Sequence, residues 1–292
     1  MKKILAIMLT LLLVVGLFTG CGSNDENKGA TEPGTEGSAI DATEAPTDAA
    51  TEAPTEAPTE AEAELKTVTP GKLTMATNAF FKPYEYYEGD KIVGIDAEIA
   101  EAIAAKLGLE LVINNMEFNS IITAVTTGAA DFGLAGMTVT EDRLLEVDFS
   151  TSYAKGVQVI IVKEGSEITS YDVLAAEGAT YKIGVQLGTT GDIYASDEFG
   201  ERVTPYNNVN EAVMALQAGD IDCVIIDNEP AKSCVAANEG LVILESTYAD
   251  EDYAACFAKD NDALLDAVNA AIEELIMDGT IDTIIEKYIP SK

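Results

Sequence analysis

The sequence predicts an α/β protein made of two consecutive units, each a parallel-type sheet flanked by helices, behind a long acidic tether. Three observations point there. From Lys72 onward, apolar runs of strand length alternate with stretches of helical period, an order that builds parallel sheets with helices on their faces. After a strand at Gln158–Val162 the alternation restarts, without close sequence repetition between the halves. Finally, 292 residues with 47% apolar content suffice for two modest cores.

Met1-Lys2-Lys3 is a short positive region, and Ile4 to Phe18 is an apolar run of 15 residues interrupted only by Thr10 and Gly16. A bilayer-spanning helix needs about 20 such residues, so residues 1–20 fit a signal peptide instead. Leu17-Phe18-Thr19-Gly20-Cys21 resembles a bacterial lipobox, with Phe18 where Leu is usual. That resemblance implies a lipidated Cys21 as mature N-terminus, and two acyl chains anchor stably where one does not. The alternative is an ordinary signal peptide with an accidental cysteine.

Residues 21–66 are rich in Thr, Glu, Ala and Pro, with an imperfect Thr-Glu-Ala-Pro repeat from Thr43 to Glu60. Almost no large apolar residue is present, so burial cannot offset chain entropy and a disordered tether is expected. Twelve acids and one base lie between Gly22 and Glu64, which leaves a charge of -25 on the chain from Leu65 onward.

The elements follow in order. Lys72–Thr77 reads as a strand, Gly94–Leu107 as an amphipathic helix with Ile95, Ile99, Ile103 and Leu107 on one face, and Leu109–Met116 as a strand. A helix at Ile121–Thr127, a strand at Phe132–Gly136 and a helix opening at Glu141 come next. The second unit reads as strands at Tyr181–Val185, near Arg202–Tyr206 and at Cys223–Ile226, with helices after Thr189 and at Val209–Leu216. Leu241–Leu244 and Tyr253–Ala258 are further strands, and Leu264–Met277 and Ile281–Ile289 are closing helices, the first ended by Asp278-Gly279.

Composition narrows function. With 51 acids against 17 bases and a pI near 4.1, nucleic acid and anionic membrane surfaces are poor partners. The absence of His excludes His-based triads, His general bases and most catalytic zinc sites. Asp250-Glu251-Asp252 lacks the spacing of a calcium loop and reads as solvated surface. No metal or cofactor is expected. Beyond Cys21, the odd set Cys223, Cys234 and Cys256 cannot all pair within the chain; Cys223 and Cys256 sit in apolar strands as small hydrophobes.

One segment suits a small anion. Ala135-Gly136-Met137-Thr138-Val139-Thr140-Glu141-Asp142-Arg143 joins a strand to a helix. Gly136 lets a ligand approach the backbone, Thr138 and Thr140 offer hydroxyls, and Arg143, one of only two arginines, offers a planar fork for a carboxylate. A surface arginine just inside a helix is the plain alternative.

Seven motifs in order resemble the polar amino-acid-binding family of extracellular solute-binding proteins of ABC importers. They are Ala76 to Tyr86, Gly94 to Ala100, Ala135 to Arg143, Val147-Asp148-Phe149-Ser150, Ile183 to Gly191, Ala218 to Asp222, and Asp278-Gly279-Thr280 with Ile284 to Tyr288. The resemblance spans Lys72 to Pro290. It implies a two-lobed periplasmic-binding-protein-like fold of type II, with residues 67–154 and 250–292 as lobe 1 and residues 155–249 as lobe 2. Hinge crossings would lie near Tyr153–Val157 and Tyr248–Ala254, and a ligand would favour the closed state because only closure lets both walls touch it.

Carried over residue by residue, the resemblance makes Arg143 and Thr138 the ligand-carboxylate anchor. Gly136 offers its carbonyl, and Asp227 holds the α-ammonium; an N-cap for the following helix is the other reading of Asp227. Thr189 and Thr190 give N–H groups at a helix start to the carboxylate, Gln186 is a further contact, and Phe81 and Phe118 flank the ligand side chain. Asn78 stands where an acid is common, which leans toward a neutral, polar ligand. The implied function is a lipid-anchored monomeric receptor passing a free amino acid to an ABC permease. A cyclohexadienyl-type dehydratase on the same fold would need an ionisable group in the cleft beyond Asp227, and none is evident in the sequence. A free-standing amino-acid sensor is the third class.

Overall fold

The computed structural model describes residues 65–245 and 247–290. The expected signal peptide, Cys21 and nearly all of the tether lie outside the described residues. The first unit opens with β1 (Lys72–Thr77) and a small antiparallel sheet of β2 (Phe80–Phe81), β3 (Glu85–Glu88) and β4 (Lys91–Val93). It continues through α1 (Ile95–Lys106), β5 (Glu110–Asn115), α2 (Ile121–Thr126), β6 (Phe132–Gly133), α3 (Glu141–Glu146) and β7 (Val147–Phe149). β8 (Ala154–Lys163) leads to α4 (Tyr171–Leu174), β9 (Ile183–Gln186), α5 (Thr190–Phe199) and β10 (Val203–Tyr206). α6 (Val209–Ala218), β11 (Cys223–Asp227), α7 (Asn228–Ala237) and β12 (Leu241–Ile243) complete the second unit. β13 (Ala249–Tyr253) returns the chain to β14 (Cys256–Ala258), α8 (Asp262–Met277) and α9 (Thr280–Tyr288).

The first sheet has the order β5-β1-β6-β14-β7 and the second β10-β9-β11-β8-β12. Parallel pairing holds for β5-β1-β6 and β10-β9-β11. It fails at β14 and β8, which run antiparallel to their neighbours. Those two strands arrive from the other unit without the helical crossover that parallel pairing requires. The strand expected over Phe132–Gly136 shortens to β6, because the chain leaves the sheet there to shape the site.

The two crossings are strands bonded to each other. β8 and β13 run antiparallel, with Ala154 opposite Tyr253, Gly156 opposite Glu251 and Gln158 opposite Ala249. A Cβ on Gly156 would lie 2.1 Å from Tyr253 Oη, so only glycine admits that ring. Alternation along β13 buries Glu251 and Tyr253 and exposes Asp250 and Asp252. The expectation of a wholly solvated acidic cluster at Asp250-Glu251-Asp252 is therefore corrected: a strand cannot point three successive side chains the same way.

The chain's end completes the first unit. α8 and α9 both pack on α1, and α8 buries Leu264, Val268, Ile272 and Leu275 at helical spacing. Each such side chain contributes about 1.5–3 kcal/mol on leaving water. Glu98 on α1 takes bonds from Lys287 and Tyr288 of α9. In the second unit Ile160, Val162, Ile183, Val185, Cys223 and Ile225 form one core. Cys223, Cys234 and Cys256 are free and buried, and burial pushes their thiols up to about 12, 11 and 12. They are small apolar fillers here.

Candidate functional site

All ten sequence-predicted residues line one narrow cavity: Asn78, Phe81, Phe118, Gly136, Thr138, Arg143, Gln186, Thr189, Thr190 and Asp227. Glu85 and Ala135 join them.

Thr140 caps α3 by accepting from the Arg143 backbone N–H, and this sets Arg143 in the first turn of the helix. The guanidinium is buried, donates to Thr138 O at 2.7 Å and to Gly188 O at 3.0 Å, and lies 5.4 Å above the Phe118 ring. Two of its five N–H groups are thus used within the protein, and the fork keeps donors for a carboxylate. Burial disfavours its charge, and Glu251 is the first group to offset that. Gly136 has φ +53°, and a Cβ there would come within 2.8 Å of the Phe81 ring. Its N–H donates to Asp96 Oδ2 at 2.8 Å.

Across the cavity, Thr189 caps α5, accepting from Asp192 N–H and donating to Gln186 O. The first N–H groups of that helix, at Thr190 and Gly191, have no intrahelical acceptor and form a natural anion seat. Two bonds join the walls directly: Arg143 to Gly188 O, and Gln186 Nε2 to Asn78 Oδ1 at 2.9 Å. Asn78 also donates from Nδ2 to Met116 O at 2.7 Å. Both ends of its amide are therefore engaged by the protein.

Asp227 ends β11 and precedes α7, yet its side chain makes no capping bond to that helix. It accepts from Gln158 Nε2 at 2.8 Å and from the Tyr253 hydroxyl instead. The capping role weighed for Asp227 is thereby excluded, because its oxygens face the cavity and the hinge strands. Burial, then the charge of Glu251, pushes this carboxyl well above the usual carboxylate range.

Four residues near the cavity carry chemistry that the sequence reading did not assign. Glu85 is fully buried, and no N–H or O–H of the described residues bonds either of its oxygens. Burial and the adjacent Asp96 carboxyl raise it well above the usual range. Asp96, on α1, accepts from Gly136 N–H and the Tyr153 hydroxyl, and burial raises it to about 6. Gln158 and Glu251 stand behind Asp227, linked by Gln158 Nε2 at 3.1 Å from Glu251 Oε2. The expectation of no ionisable group beyond Asp227 is corrected: Glu85 lines the cavity. Its signal was an acid between Tyr84 and Tyr86 in a segment otherwise aromatic, where the strand turns it inward while Tyr87 and Glu88 face out.

The profile of the bacterial extracellular solute-binding proteins, family 3, matches residues 73–291. The arginine-binding extracellular protein ArtP of Bacillus subtilis (strain 168) is 35% identical over 223 residues, covering 74% of this chain and 86% of ArtP. A probable histidine-binding protein of Campylobacter jejuni is 32% identical over 220 residues, covering 74% of this chain and 84% of that one. Among solved structures, an ancestral arginine-binding protein bound to glutamine has a TM-score of 0.72 at 36% identity, covering 76% of this chain and all of that chain.

Proposed function

This chain belongs to the bacterial extracellular solute-binding proteins, family 3, and from that we propose that it is a lipid-anchored receptor that captures one free amino acid and delivers it to an ABC permease. The carrying observation is the cavity itself, which sets the Arg143 fork and the α5 N-terminus near the Asp227 carboxyl. A zwitterion's carboxylate goes to Arg143, Thr138 and the Thr189–Thr190 turn, and its ammonium to Asp227 and Gly136 O. Lobe 1 comprises 67–154 and 250–292, and lobe 2 comprises 155–249. Cys21 anchors the chain; partition of the exported protein into detergent, lost in Cys21→Ala, tests this.

Side-chain choice moves from Asn78, whose amide is engaged by Met116 and Gln186, to Glu85, whose oxygens lack donors. A ligand side chain with N–H donors satisfies Glu85, and a cationic one also drives it to ionise. The neutral ligand first inferred from Asn78 gives way to this reading. Relatives described as arginine- and histidine-binding agree with it.

A thermal-shift screen of the twenty amino acids tests the reading. L-arginine is expected to give the largest rise in Tm. Arg143→Ala should weaken binding by about 3 kcal/mol, roughly 100-fold, and remove the rise while the protein stays folded. A full rise in that variant excludes the carboxylate anchor, and a larger response to glutamine than to arginine restores the neutral ligand.

A further inference from the structure

The ammonium site contains more acid than one cation can balance. Asp227 and Glu251 are both buried, and one amide hydrogen-bonds both: Gln158 Nε2 lies 2.8 Å from Asp227 Oδ2 and 3.1 Å from Glu251 Oε2. Glu251 Oε1 has no donor, and no lysine or arginine forms an ion pair with either acid among the described residues. No surrounding group of the described residues forms an ion pair with either acid. From β13, Tyr253 gives Asp227 a neutral hydroxyl; from α5, Thr190 meets Gln158 at 3.5 Å. Arg143 on α3 acts on both acids only through its field, because its bonds go to the carbonyls of Thr138 and Gly188, and its one charge cannot balance two carboxylates. From the hairpin and α1, Tyr84, Glu85 and Asp96 add only neutral or acidic groups, and Glu229 of α7 pairs with Lys232.

Two carboxylates bonded to one amide in a dry interior cannot both ionise cheaply. We propose, resting on the amino-acid-receptor reading above, that Asp227 keeps a proton in the empty cleft because the Glu251 carboxylate is held beside it on the same amide. The ligand's α-ammonium replaces that proton, so capture releases one proton to solvent. One bond breaks and one forms: the O–H of Asp227 gives its proton to a buffer base, and the ionised Asp227 then faces the ammonium. Glu251 touches no ligand; it is a positioning residue acting through Asp227. The raised carboxyl of Asp227 is consistent with this.

The test is calorimetry with L-arginine and L-glutamine from about pH 5.5 to 7.5, where a free amino acid keeps its ammonium, in phosphate and in Tris-type buffers of different ionisation enthalpy. With L-glutamine the wild type should release close to one proton per ligand bound, and its affinity should rise up to tenfold per pH unit; L-arginine adds the proton of Glu85, and the Asp227 proton is the part of its release that Glu251→Gln removes. Glu251→Gln should still bind L-glutamine, through Asp227, with the release near zero and the pH slope flat. Equal apparent enthalpies in the two buffers for the wild type with L-glutamine overturn the proposal without a variant. Undiminished release in Glu251→Gln also overturns it, since the proton then comes from elsewhere. Absence of binding by any amino acid sinks the receptor reading and the coupling together, whereas binding without proton release sinks the coupling alone.

Discussion

At the scale of single residues, the site is defined by acids held in unfavourable places. Asp96 is the clearest, because burial raises it from 3.8 to about 6 while Gly136 N–H and the Tyr153 hydroxyl hold it in place. A carboxyl raised in the folded state gives stability that is complete below about pH 4 and lost as pH rises through about 6. That loss amounts to about 3 kcal/mol. Asp96→Asn keeps an oxygen to accept both bonds and does not titrate, so its stability should fall by about 3 kcal/mol less than that of the wild type over that interval. The check is the difference in urea-unfolding free energy between wild type and variant at pH 4 and pH 7; a difference independent of pH removes the assignment. Asp96 and Glu85 both lay inside motifs that the sequence displayed, yet nothing in one dimension tells a surface acid from a buried one. Asn78 is the opposite case: its chemistry was legible, but the partners that engage it, Met116 and Gln186, come from distant elements.

Among the elements, α1, α5, α6 and α8 follow from apolar spacing and their caps, and their sequence bounds lie within a few residues of the structure. The hairpin β2–β4 escaped the sequence reading, since two- to four-residue strands carry too short a pattern to register. β13 escaped because its acids disguised a strand. Its pairing with β8 makes Gly156 the tightest contact of the crossing. Gly156→Ala should force Tyr253 aside, break its bond to Asp227 and cost about 3 kcal/mol. A lowered urea midpoint together with weaker amino-acid binding is the expected outcome; an unchanged midpoint means that the Tyr253 ring yields freely.

For the molecule as a whole, the chain crosses twice between the sheets, and the cavity walls meet through Gln186–Asn78 and Arg143–Gly188. Each bond of this kind contributes about 1 kcal/mol to closure, comparable to the free-energy gaps that separate open and closed states. Gln186→Ala should enlarge the radius of gyration in solution without added amino acid, and saturating amino acid should restore the wild-type value. Identical scattering from both proteins under both conditions means that this contact does not govern closure.

What the sequence determined by itself was the α/β class and most of the order of strands and helices, and the resemblance of its motifs to a known family pointed to the ten residues that line the cavity. Class and order are written in local period and in glycine and cap chemistry, and the resemblance in the order of short motifs, none of which needs a partner far along the chain. Tertiary structure alone decided that β8 and β14 run antiparallel, that Glu251 turns inward, that Asn78 is engaged, and that Glu85 stands beside Asp96 with neither acid facing a counter-ion. Direction, burial and charge balance depend on which distant residues are brought together, and that is settled only when the chain has closed on itself.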